Sequence, residues 1–464
     1  MGAPNPPLPA RGTAVSTLPA FTTPVTEIDT GDTAWLLVSS ALVLLMAPGL
    51  ALFYGGMVRS KSVLNMMMMT FGALAVILVL WTLVGYSLAF GDDIGGGVLG
   101  NPLQYAGLGQ LLSPEADVVG TVPAILFAVF QGLFCVITGA LVSGAIADRA
   151  RFGAWLVFIG AWTLLVYAPV AHWVFDFSAG DHVGGWLANQ VGVIDFAGGT
   201  AVEICSGASG LALALVLGKR IGFGRDPMRP HNLTLVMLGA GLLWFGWFGF
   251  NAGSALGAGH KAAVVFVTTL LAGAAGTLGW LVLERFRDGK ATSLGAASGM
   301  VAGLVAITPS GGSLTPIGAL LMGGVAGVVC AAAVGLKFRF GYDDSLDVVG
   351  VHLVGGLIGT LGIGLLGTSA APTAVDGLFY GGGVTQLGKQ AIGAAVVLVY
   401  AFVVSAALGY AVERLIGFRL IPEHEVSGID LAIHGETAYD FHTVTGGRAG
   451  GHGILRSLSH PEED

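Results

Sequence analysis

The sequence predicts an all-α polytopic membrane protein, and three observations carry that prediction. Of its 464 residues 54% are hydrophobic and 10% charged, against roughly 25% charged in an average globular chain. The apolar residues fall in runs of about 20, which at ~1.5 Å per residue cross a ~30 Å hydrocarbon core. Lysine and arginine, finally, are confined to alternate connections between the runs. A net charge of −8 with scattered basic residues excludes a nucleic-acid partner. The 76 glycines follow no collagen period.

Eleven spans are expected, at 33–56, 63–90, 120–147, 153–175, 197–218, 232–256, 262–284, 292–309, 315–336, 347–368 and 387–416. Residues 1–32 form an N-terminal tail with neither a basic leader nor an apolar signal core. Residues 417–464 form a C-terminal tail, and 442–464 turn to Gly, Arg, His, Ser and acids, a disordered composition. One set of connections, with the C-terminal tail, holds seventeen Lys and Arg; the alternate set, with the N-terminal tail, holds Arg11, Lys261 and Lys389. Positive charge stays cytoplasmic, so the N-terminus is expected outside and the C-terminus inside. An odd span number requires the same.

The two long external connections contain Asp92, Asp93, Glu115, Asp117, Asp176 and Asp181 with no Lys or Arg. They suit an acidic vestibule that concentrates cations, or loops that merely lack basic residues. Gly295, Gly299 and Gly303 line one face of span eight and permit close helix approach. Pro48, Pro123 and Pro169 interrupt spans one, three and four, where local unwinding lines cavities. Cys135, Cys205 and Cys330 lie inside apolar runs, without metal-ligand spacing, and read as packing residues. No metal or cofactor is expected, and no HExxH, nucleophile elbow or phosphate loop points to an enzyme.

Ionisable residues inside spans cost at least ~2.5–3.5 kcal/mol to bury and mark function. Glu203 in span five follows Asp195 by eight residues; His352 in span ten follows Asp344 by eight. Entering from opposite sides, Glu203 sits about 12 Å below Asp195 and His352 about 12 Å above Asp344, both near the midplane of a ~30 Å core. Spans one to five and six to ten thus read as two inverted five-helix repeats, with the eleventh outside the symmetry. Asp195 stands at a natural N-cap position, with cation attraction a second role, and Asp344 and Asp347 could cap span ten likewise.

Six segments carry a resemblance: Ala-Pro-Gly-Leu-Ala-Leu-Phe-Tyr-Gly-Gly at 47–56, Phe-Gln-Gly-Leu-Phe at 130–134, Asp-Phe-Ala-Gly-Gly-Thr at 195–200, Gly-Trp-Phe-Gly-Phe-Asn-Ala-Gly-Ser at 246–254, Asp-Val-Val-Gly-Val-His at 347–352, and Gly-Ile-Asp-Leu with His-Gly-Glu at 428–436. With them the chain resembles the ammonium transporter family, the Amt/Mep/Rh superfamily. The resemblance implies a homotrimer of eleven-helix protomers, each with its own pore for ammonium or ammonia. Methylammonium as a substrate is left open, and a PII-type signalling protein is the implied cytoplasmic partner. Phe134 and Phe250 would stack as a gate, Phe130 and Trp247 would line the same region, and Ser254 would accept a hydrogen bond from ammonium. Asp195 matches the recruitment-site aspartate and His352 the second pore histidine. Glu203 replaces the first pore histidine, a variant the family also shows. Phe175 stands at the position of the vestibule tryptophan, and Trp186 is the alternative. An ammonium sensor built on the same fold is the competing function.

The residue types suit the substrate. Ammonium and potassium are close in size, but only ammonium donates directional hydrogen bonds and sheds a proton. Aromatic faces attract either cation by about 0.5–2 kcal/mol, whereas a serine acceptor favours the donor ion. A phenylalanine constriction then passes neutral ammonia more readily than a hydrated ion. Burial and mutual opposition act on a Glu/His pair in opposite senses, so it titrates as a unit and is suited to relay a proton.

Overall fold

The computed structural model describes residues 27–113 and 118–439. Among them, ten helices are long and apolar enough to cross a bilayer: α1 (Thr30–Met57), α2 (Val63–Phe90), α3 (Ala124–Ile146), α4 (Phe152–Phe175), α5 (Gly199–Leu217), α6 (Leu233–Gly253), α7 (His260–Arg287), α9 (Pro316–Phe340), α10 (Val349–Leu366) and α11 (Thr385–Ile416). The eighth expected span is shorter: α8 (Ser293–Ile307) has 15 residues, or about 22 Å. Its continuation, residues 308–313, leaves the helix while fully buried. Such backbone survives at depth because the protein satisfies it: Thr368 N donates to Ser313 O at 3.0 Å, and Thr373 N to Gly312 O at 2.9 Å.

Helix starts follow the sequence. Asp29, Asn232, Thr292 and Thr315 cap α1, α6, α8 and α9 through side-chain acceptors. Of the three prolines, Pro48 lies within α1 without ending it. Pro169 follows a π-turn at Thr163–Tyr167. Pro123 corrects the expectation: it is the residue before α3, not a break inside it.

Packing repeats between the two halves. α2 meets α3 and α4, and α3 meets α5; correspondingly α7 meets α8 and α9, and α8 meets α10. α1 lies along α6 at the centre. Glycine permits the closest approaches, as the span-eight stripe predicts. A Cβ on Gly303 would lie 2.2 Å from Ala272 O, and one on Gly299 2.7 Å from Gly276 O. α11 has no counterpart and lies along α5, α10 and α4. A buried polar trio fastens it: Trp162 Nε1 donates to Ser209 Oγ at 3.0 Å and Ser405 Oγ at 3.2 Å, and Ser405 donates to Ser209 at 2.9 Å. All three cysteines are free and buried.

Beyond α11 the tail folds back across the connections at that end. Arg151 N donates to Phe418 O and Leu420 N to Arg149 O, both at 2.9 Å. After the short α12 (Pro422–Ser427), the buried Asp430 accepts from Leu64 N at 3.0 Å and Asn65 N at 2.8 Å. It therefore caps α2 from 365 residues away. Asp430→Ala should uncap α2, cost about 1 kcal/mol, and speed proteolysis within 428–439 severalfold. Unchanged cleavage of the purified protein would refute the cap. The expected disorder of 442–464 lies outside the described residues.

Candidate functional site

Two helix openings build the site. Gly198, at φ +119°, leads into a π-turn at Gly199–Ile204 that begins α5; a second π-turn, Val349–Leu353, begins α10. Both are the wide, functionally recurrent turn type. Asp195 accepts from the backbone N–H of Gly198, Gly199 and Thr200, each at 2.7 Å. Asp344 accepts from Val348 at 3.1 Å and Val349 at 2.7 Å. In both halves the cap reaches the residues four and five positions on. Asp347 does not share this work: at φ +64° it turns to Lys337, with Nζ 2.6 Å from its carboxylate.

The openings bring the two mirrored residues into contact. His352 Nδ1 lies 2.7 Å from Glu203 Oε2, with both side chains at most 5% exposed. One proton fits between them, on the imidazole or on the carboxyl. Glycines allow the crossing: a Cβ on Gly207 would lie 2.5 Å from Leu353 N, and one on Gly356 2.8 Å from Glu203 Cβ.

A narrow cavity leads to this pair. Met46, Leu50 and Phe53 of α1 line it, with Leu141, Leu243 and Val301. Of its lining side chains only Glu203, His352 and Trp247 carry nitrogen or oxygen. Its open volume is about 10 Å³, the room of a single water. At the α6 end Phe134 and Phe250 stack, ring centres 4.0 Å apart and planes 16° from parallel. Phe130 meets Phe134 edge-on at 4.9 Å, and Trp247 meets Phe250 at 5.9 Å. Trp247 Nε1 donates to Thr308 Oγ1 at 2.9 Å, which fixes the indole. Ser254, at the end of α6, donates its hydroxyl to Phe250 O at 2.8 Å. Its oxygen lone pairs remain available to accept.

Other expected positions lie apart. Among the described residues neither Phe175 nor Trp186 makes a ring contact with the four aromatics. Trp186 rests edge-on against Trp173 at 6.1 Å. The acidic connections are also less free than their sequence suggests. His182 bridges Asp92 (Nδ1, 2.9 Å) and Asp176 (Nε2, 2.9 Å). Buried His172 lies 3.2 Å from Asp176 and 3.3 Å from Asp93. Burial pushes the Asp93 carboxyl up, but the backbone N–H groups of Gly97, Gly95, Leu99 and Gly96 outweigh it and hold it at about 2. Through His182, Asp92 and Asp176 tie the two loops together, while Asp93 is held by its own loop's backbone and by His172 of α4. Glu115 and Asp117 lie outside the described residues.

The hydrogen bond that His182 donates to Asp176, with Asp92 adding to it, raises the His182 pKa to about 9, above its ordinary ~6.5. The folded pKa is the higher one. The loop tie thus contributes fully below pH ~6.5 and is lost as pH rises through about 9. The melting temperature of the purified protein should fall between pH 7 and pH 10 by more than that of His182→Ala. Parallel profiles would sink the tie.

Sequence reasoning missed Thr308, His172 of α4, the loop residue His182 and the glutamines Gln386 and Gln390 of α11. The histidine spacings to acid were visible, but the partner Asp92 and Asp93 lie 90 and 79 residues away. A profile described as the Ammonium Transporter Family matches residues 34–439. The chain is 58% identical over 440 residues to an ammonium transporter of Mycobacterium tuberculosis (strain ATCC 25618 / H37Rv), covering 90% of this chain and 92% of that one. It resembles the crystal structure of Saccharomyces cerevisiae Mep2 with a TM-score of 0.77 at 37% identity, over 86% and 89% of the two chains. It resembles a sensor Amt protein with a TM-score of 0.80 at 27% identity, over 87% and 98%. With its apolar helices and paired openings, the chain belongs to the ammonium transporter family, multi-pass proteins of the cell membrane.

Proposed function

We propose that the protein takes up ammonium by separating it into ammonia and a proton. Ammonium is held outside the Phe134–Phe250 pair by the faces of Phe130 and Trp247 and by the lone pairs of Ser254. It sheds its proton, ammonia passes the rings into the apolar cavity, and Glu203 with His352 relays the proton. Asp195 serves by capping the turn that carries Glu203. The observation that carries this reading is the 2.7 Å Glu203–His352 contact in a cavity otherwise lined by apolar side chains. An ion would lose its hydration there without replacement, whereas ammonia needs only one or two partners.

In this reading the N-terminus is outside and the tail cytoplasmic, as the seventeen-to-three charge split requires. The working assembly is a homotrimer, and the tail face is where a PII-type protein would dock. The test is the current evoked by an ammonium step across proteoliposomes of the purified protein, with potassium as control. A saturable ammonium current without a potassium current is the expected result. Silence from folded trimers would overturn charge-moving transport and shift the question to neutral ammonia or to sensing.

A further inference from the structure

We propose that Gln390 of α11 is a positioning residue that fixes the α5 opening, and through it Glu203. Residues 192–198 form irregular backbone between two π-turns, with Gly192 at φ +78° and Gly198 at φ +119°. Away from water such a segment takes its hydrogen bonds from neighbouring protein groups. Asp195 supplies those at its far end, and Pro309 O accepts from Phe196 N at 3.1 Å. The near end is held by α11. Gln390 is fully buried. Its Oε1 accepts from Ile194 N at 2.8 Å and its Nε2 donates to Ile194 O at 2.7 Å. The amide thus pairs with one residue as a neighbouring strand would, one position before Asp195.

The same Nε2 donates to Thr360 O at 3.2 Å. Thr360 lies about two turns beyond His352 on α10. One amide thereby joins the opening that bears Glu203 to the helix that bears His352. The rest of this α11 face agrees with that role. Gln386 Nε2 donates to Gln390 Oε1 at 3.0 Å and to Gly192 O at 3.3 Å. A Cβ on Gly393 would lie 2.8 Å from Val193, so the helix sits against this segment.

Comparison of the halves isolates what α11 adds. Ser345 N and Leu346 N, at the α10 opening, donate to Ala145 O and Gly144 O at the end of α3. The bond from Phe196 to Pro309, just past α8, is the matching contact in the other half. At the α10 opening the residue one before Asp344 is held differently, by Arg149 Nη2 donating to Asp343 O at 2.6 Å, so among the described residues the paired amide bonds from α11 belong to the α5 opening, because α11 stands outside the repeat. They fasten one opening only, the one with glycine at both ends.

The test compares the reconstituted full-length protein with Gln390→Leu, with the isosteric Gln390→Glu, and with Ser405→Ala. Ser405→Ala removes a buried α11–α5 hydrogen bond away from the opening. Both Gln390 variants should speed hydrogen–deuterium exchange of amides 194–204 roughly tenfold, the scale of one lost buried hydrogen bond. They should also shift the pH dependence of the ammonium current, while Ser405→Ala lowers stability and moves neither. Exchange and pH profile that match Ser405→Ala would overturn the proposal. The current readout rests on the transport reading; exchange does not. A silent wild type would therefore count against transport while exchange still decides the role of Gln390.

Discussion

Glu203→Gln should lower the ammonium-evoked current about 10²–10⁴-fold, the range that one positioned proton-transfer group contributes. The substitution keeps size and can still hydrogen-bond to His352 Nδ1, now 2.7 Å from Glu203 Oε2, but an amide cannot take up and release a proton. Packing around Met46, Leu50 and Phe53 is left as it is, so neutral ammonia should still cross. Ammonia flux, followed by the pH change inside vesicles, should therefore fall far less than current. His352→Ala should also lose current, and it leaves a buried carboxyl without its partner, a costly state in a membrane. Because the pair shares one proton, the double variant should be no worse than the poorer single one. Currents with unchanged size and pH dependence in both single variants would remove the relay from the mechanism.

The legible part of this protein is its local and repeated part. Among the described residues hydropathy located the ten helices long enough to cross a bilayer and the shorter α8, since each is a run of neighbours in sequence. The eight-residue spacing from Asp195 to Glu203 and from Asp344 to His352 exposed the site, because cap and functional residue share a single opening. It could not report the 2.7 Å contact, which depends on glycines of two helices allowing α5 and α10 to cross. The burial of the segment after α8 was hidden for a similar reason. Thr308–Ser313 reads Thr-Pro-Ser-Gly-Gly-Ser, a breaker run, but that it stays buried depends on distant partners, Phe196, Thr268, Thr368 and Thr373, which take its carbonyls.

The partners of the charged loop residues are only partly legible in the sequence. His172 and His182 stand four and six residues from Asp176, but Asp92 and Asp93 are 90 and 79 residues from the histidines they meet. In the fold Asp93 and Asp176 meet His172 and His182 and the loop's own backbone. Phe130, Phe134, Trp247, Phe250 and Ser254 entered through resemblance, and the structure gathers them. It does not add Phe175 to the group, and no composition or spacing in the sequence bears on that outcome.

Gly207→Val should abolish transport by separating α5 from α10, whereas Gly241→Ala, a smaller addition on an exposed face of α6, should not. A Cβ at Gly207 would lie 2.5 Å from both Leu353 N and Leu353 Cβ, and 2.7 Å from Leu353 Cα. Backbone atoms cannot swing aside as a flexible side chain does, so α10 itself must shift. Leu353 follows His352, and a shift there stretches the 2.7 Å contact with Glu203. Misplacing reacting groups by about 1 Å costs on the order of 10²-fold in rate. Overpacking alone costs about 1–3 kcal/mol of stability, so the protein should still assemble, with a lower melting temperature. At Gly241 nothing lies within 4 Å of an added Cβ, and alanine should even stabilise that helix by about 0.5–1 kcal/mol. The comparison reads current per folded protein alongside melting temperature. If Gly207→Val kept wild-type current, the α5–α10 crossing would not set the geometry of the pair, and the part given to these two helices would have to be abandoned.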